Sequence, residues 1–117
     1  MTAPKTTKRP ARKPDPVTAI LANVKATHRS VADKRMPIGG GHNPAKARRY
    51  FAEEADRWAF IKMTRDKAEL SGWDAELLEQ LFHALAETGH PETAKFHLEK
   101  VAAYAVAAIG QLDREAA

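Results

Sequence analysis

Apolar positions recur at three- and four-residue intervals along most of this chain, and no run of strict apolar–polar alternation interrupts them. Three- and four-residue spacing gathers side chains on one side of a helix, whereas alternation would build a strand. Val17, Ile20, Leu21, Val24, His28 and Val31 form the first such stripe and predict a helix over 17–34. His28, lying on that stripe, is expected at the edge of a core or within it. Pro37 and Gly39, Gly40 and Gly41 then break the pattern, and Asn43 followed by Pro44 marks a new start. Asparagine caps a helix through its side chain, and proline fits the first turn, where its missing N–H has no partner to lose. The second helix is expected over 44–70, with Ala47, Phe51, Ala55, Trp58 and Ala59 facing the core. Gly72 is expected to break it, and Asp74 to cap a third helix, with Trp73 and Leu78 as a hydrophobic staple.

The third helix runs to Thr88 and stops at Gly89; Pro91 opens a fourth. On the third, Leu78, Leu81, Phe82 and Leu85 fall on one side, and Glu76, Glu79, Gln80, His83 and Glu87 fall opposite. The fourth carries a seam of Leu98, Val101, Ala102, Ala105, Ile109 and Leu112, with His97 and Lys100 off it. The short "ETGHPET" link makes these two helices an antiparallel hairpin. The expected fold class is therefore all-α, a four-helix bundle, with no internal repeat.

Length limits the chain to one small domain with a modest core: 117 residues, 44% hydrophobic and 29% charged. A bundle of this size often needs a second copy to close its core, so a homo-oligomer is expected. The absence of cysteine excludes a disulfide framework and any thiolate metal site, and fits a reducing cytoplasm. No window is apolar enough for a membrane span, and neither a secretory signal nor a transit peptide is expected at the N-terminus. The net charge of +4 is unevenly placed. Residues 1–16 hold Lys5, Lys8, Arg9, Arg12 and Lys13 against Asp15, while the rest of the chain balances to zero. With four prolines, one charge sign and little apolar content, 1–16 is expected to be a disordered basic tail ahead of a helical domain at 17–117. It is either a solubilising segment or an arm making weak, sequence-independent contact with nucleic acid phosphates.

The glycine stretch in "RMPIGGGHNP" lacks the lysine and hydroxyl of a phosphate-binding loop, and no strand precedes it, so a turn is expected there. The run "ELLEQLFHALAETGHPETAKFHLEKVAAYAVAAIGQLDR" resembles the C-terminal half of MazG-like proteins, all-α nucleoside triphosphate pyrophosphohydrolases with small members in actinobacteria and their phages. The ending "VAAYAVAAIGQLDR" carries the likeness furthest, and Asp33, Lys34 and His42 resemble positions of that family's first loop. The resemblance spans about residues 20–115 and implies a nucleotide ligand, Mg²⁺, and a dimer or tetramer.

That family uses an E-E-x-x-E motif on one helix and E-x-x-D on the next. Clustered carboxylates supply the hard oxygen ligands that Mg²⁺ and a triphosphate require, and the metal activates water for attack. Carried over to this chain, Glu79 keeps the first acidic position, Gln80 and His83 take the second and third, and His97 and Lys100 stand at the E-x-x-D positions. Lys100 opposes a metal there, but could meet a phosphate directly. Two rearranged sites remain open. Glu76 and Glu79 could combine with Glu53 or Glu54, or Glu79, His83 and His97 could hold a transition metal such as zinc. Equally, the polar side of the third helix is a solvated face, with Glu79 and His83 paired on its surface.

Two functions follow as expectations. One is a MazG-like nucleotide-binding protein, an NTP or dNTP pyrophosphohydrolase with catalysis weakened or lost, using Glu79, His83, His97 and Lys100. The other is a small non-enzymatic helical interaction protein with a basic arm for nucleic acid.

Overall fold

The computed structural model describes residues 15–117; the expected basic tail lies outside them, save Asp15 and Pro16. The described residues form four helices: α1 (Pro16–Val31), α2 (Pro44–Lys67), α3 (Trp73–Ala86) and α4 (Pro91–Ala116). The all-α expectation holds. Asp15 belongs to the fold rather than to the tail, because its carboxylate accepts a hydrogen bond from Val17 N–H at 3.1 Å and caps α1. Asn43 caps α2 as expected, its Oδ1 accepting from Lys46 N–H at 3.1 Å.

Four helix ends differ from expectation: α1 stops at Val31 rather than at 34 and α3 at Ala86 rather than at Thr88, and the end of α2 and the start of α3 differ in kind. The second helix stops at Lys67, before Gly72, because Glu69 takes a left-handed conformation with φ of 58°. The turn is closed by Leu70 N–H donating back to Arg65 C=O at 2.8 Å, a bond that satisfies a terminal carbonyl. Gly72, not Asp74, is the N-cap of α3. Asp74 sits inside the first turn, and its carboxylate meets the Arg65 guanidinium of α2 at 2.7 Å. That pairing holds the Asp74 carboxyl below the usual carboxylate range. Trp73 is accordingly a first-turn residue. Its ring lies 6.3 Å from that of Tyr104, and its Nε1 donates to Gln111 Oε1 at 2.9 Å, fastening the start of α3 to α4.

The packing order is not the chain order. Helix α1 lies on α4, α4 on α3, and α3 on α2, and among the described residues no other helix pair touches. The helices therefore form an open row with α3 and α4 inside it. The crossings are built on small residues: Ala55, Ala75, Ala84 and Ala94 are buried, and Gly110 meets Ile20. Small side chains let helix backbones approach closely, but they bury little apolar area. Ile20 is the one large apolar side chain among the described residues that is buried, at 4% exposure. The apolar sides of α1 and the outer half of α4 stay open: Val17, Leu21, Val24, Val31, Ile109 and Leu112 are all exposed. No helix of the described residues is long and apolar enough to cross a membrane.

Candidate functional site on the α3–α4 hairpin

Because α3 lies between two helices, it has no fully solvated side. Phe82, from its leucine-bearing face, stacks on Phe51 of α2 with ring centroids 6.1 Å apart. On the opposite, polar face, Gln80 and His83 meet His97 of α4, and Gln80 is only 6% exposed. A buried amide must find partners. Gln80 Oε1 lies 2.7 Å from His97 Nδ1, and its Nε2 donates to Glu79 Oε1 at 3.2 Å. A carboxylate can only accept, so the amide nitrogen faces Glu79 and the amide oxygen faces the ring. His97 Nδ1 must then carry the proton and donate, which leaves Nε2 with the free lone pair.

Four sequence-predicted site residues thus gather here. The rings of His83 and His97 stack at 4.9 Å between centroids. Lys100 is close enough to influence His97, yet its ammonium sits 4.6 Å from the Phe96 ring centroid, over an aromatic face. Burial pushes the His97 imidazole below its ordinary range, and the neighbouring His83 and Lys100 push it the same way; Glu87 and Glu79 pull weakly in the other direction. His97 is therefore held neutral by its surroundings.

The acids that a metal site would need are committed elsewhere. Glu76 lies 3.7 Å from Lys62 of α2, and Glu54 lies 3.1 Å from Arg57 on its own helix. Glu76 is the largest influence raising the Lys62 ammonium. Glu53 is exposed on α2. Glu79 is left as the one carboxylate bonded into the Gln80–His97 link. Among the described residues, no three His, Asp or Glu side chains converge on a point where they could hold a metal. The donor set fits Mg²⁺ poorly, since that ion requires several oxygen ligands in near-octahedral order and here meets one carboxylate, two imidazoles and a lysine. A zinc site at Glu79, His83 and His97 would need the stacked rings to part and the bond from His97 to Gln80 to re-form around the metal.

Gln80 is the residue whose role the sequence pattern conceals. It occupies a motif position, but its work is to join two helices. Comparison with protein-family models, curated proteins and solved structures finds no match.

Proposed function

We propose that this chain is a non-catalytic helical interaction protein that works as an assembly of like copies, joined through the outer faces of α1 and α4. The observation that carries this reading is the open edge of the row. Leu21, Val24, Ala102, Ala103, Ala105, Val106 and Ile109 line one continuous groove between α1 and α4, and none of them carries a charge or a polar side chain. Leu21 and Val24 remain about half exposed there, at 49% and 47%. The groove joins a ridge of large side chains to a strip of alanines. Such a surface complements itself under a twofold rotation, with the ridge of each copy on the alanine strip of the other. A second α1–α4 pair would turn the open row into a four-helix packing at its centre, and would give α1, which among the described helices touches α4 alone, a second neighbour.

The test is the mass of the full chain in solution by light scattering over a micromolar range. We expect a dimer or higher oligomer, and a shift to monomer in Val24→Asp, whose carboxylate would be buried unpaired in each copy. A burial penalty of roughly 3 kcal/mol corresponds to about a hundredfold weaker association. A strictly monomeric wild type at high micromolar concentration overturns the reading. Circular dichroism of Val24→Asp separates lost association from lost folding, and Ala103→Glu at the same groove serves as a second variant.

The competing reading, a MazG-like nucleotide pyrophosphohydrolase, draws its support from the gathering of Glu79, His83, His97 and Lys100 on one hairpin. It is weighed by pyrophosphate release from NTPs and dNTPs with Mg²⁺, Mn²⁺ or Zn²⁺. Metal-dependent release that is abolished by Glu79→Ala would replace the non-catalytic reading.

A further inference from the structure

Stable interfaces between proteins engage roughly 20–30 residues a side, and the α1–α4 groove alone falls well short of that. A contact built on it must extend along surface that is continuous with it. The lining continues in two directions. Val24 and Ile109 also border a cleft with Asn23, Thr27, His28 and Asp113. Ala102 also borders a groove of about 470 Å³ at the start of α4, lined by Ile38, Pro91, Ala94, Lys95, Leu98 and Glu99. This second groove has an apolar floor and no helix over it: Ala94 is buried, Leu98 is half-buried, and Ile38 of the connection stays 57% exposed at its edge.

Charge distinguishes the two helices that border this face. Helix α1 holds Lys25 and Arg29 and no acid between Pro16 and Val31. Lys25 stands one turn beyond Leu21 and Arg29 two turns beyond, on the edge of α1 that borders the first groove. Neither forms an ion pair among the described residues. On α4, Glu99 stands one turn before Ala103, and Glu92 two turns before Glu99. Glu92 forms no ion pair among the described residues. Glu99 meets Lys95 at 4.0 Å with both side chains well exposed, a pairing that contributes little. The chain thus carries unmatched cations on one helix and weakly matched acids on the other, and does not bring the two sets together itself.

We infer that the groove at the start of α4 receives α1 of a second copy, with Lys25 and Arg29 of that helix set against Glu92 and Glu99. This docking rests on the self-association reading and supplies its register. There, the Leu21 and Val24 ridge of one copy lies on the alanine strip of the other. The same helix, continued past the strip, runs onto the second groove, which begins at Ala102. Among the four helices α1 alone combines cations with an absence of acids, and its apolar stripe is half exposed beside them. A twofold makes the contact twice, so every charge pair acts twice in the assembly.

The test is the mass of the full chain by light scattering over a micromolar range. The samples are the wild type, the double variant Lys25→Glu and Arg29→Glu, the double variant Glu92→Lys and Glu99→Lys, and an equal mixture of the two variants. All four side chains are exposed, and circular dichroism of each variant checks that the helices are kept. The wild type should associate. Each variant alone should associate at least about tenfold more weakly, because opposite charges across the contact become like charges. The mixture should regain most of the lost affinity. In a mixed dimer one contact is native and the other is reversed on both sides, so both are matched. A strictly monomeric wild type overturns the self-association reading and this docking with it. An associating wild type whose mass the two variants leave unchanged overturns the docking alone, and so does a mixture that associates no better than its components.

Discussion

Replacing Gln80 with alanine removes a side chain that is 94% buried by position and doubly bonded, and the outcome discriminates between a structural and a catalytic purpose for the α3–α4 link. The lost γ-methylene is worth about 0.8 kcal/mol of burial. The lost bond to His97 contributes about 1 kcal/mol net, and the unfilled space beside Ala84 and His97 adds a similar amount. The expected destabilisation is therefore about 2–3 kcal/mol, measured by urea unfolding at one fixed protein concentration so that self-association does not enter the comparison. His97→Ala alone and the Gln80→Ala, His97→Ala double variant complete a cycle, in which a coupling of about 1 kcal/mol belongs to the bond itself. A loss below roughly 0.5 kcal/mol, or a gain, would refute the structural purpose. A gain is what a polar group kept for chemistry at the expense of stability gives when it is removed.

Two further outcomes follow from the backbone and the titrating groups. Glu69→Gly should stabilise the chain by roughly 0.5–1 kcal/mol, because glycine adopts the left-handed conformation of that position without the penalty a Cβ carries; a destabilised variant in thermal unfolding would contradict this account of how α2 ends. His97 is held below its ordinary value of 6.5 in the folded chain, so the unfolded chain binds the extra proton first. Stability should be full above about pH 6.5 and fall as the pH drops from there toward the folded value, by no more than about 1.4 kcal/mol per pH unit. His97→Gln should flatten that slope in urea titrations at several pH values, and an unchanged slope would assign the dependence to other groups.

The helices were legible because each carries its signals locally: the stripe of α1, the Asn43–Pro44 start, and Pro91 in the first turn of α4. The end of α2 was not, because Glu69 in a left-handed conformation leaves no mark in composition, whereas Gly72 nearby is a conspicuous breaker. The order of packing was hidden for a different reason. Periodicity tells which side of a helix is apolar, but not how many neighbours it has. The polar side of α3 looks solvated in sequence, yet Gln80 and His83 on it are interface residues because α4 lies against them. One signal could have found the link. In a hairpin turning between Thr88 and Gly89, residues equally distant from the turn stand opposite each other, and Gln80 with His97, like Trp73 with Tyr104, satisfy that condition. What the hairpin register cannot supply is the fate of the acids, since Glu76 is claimed by Lys62 from a third helix.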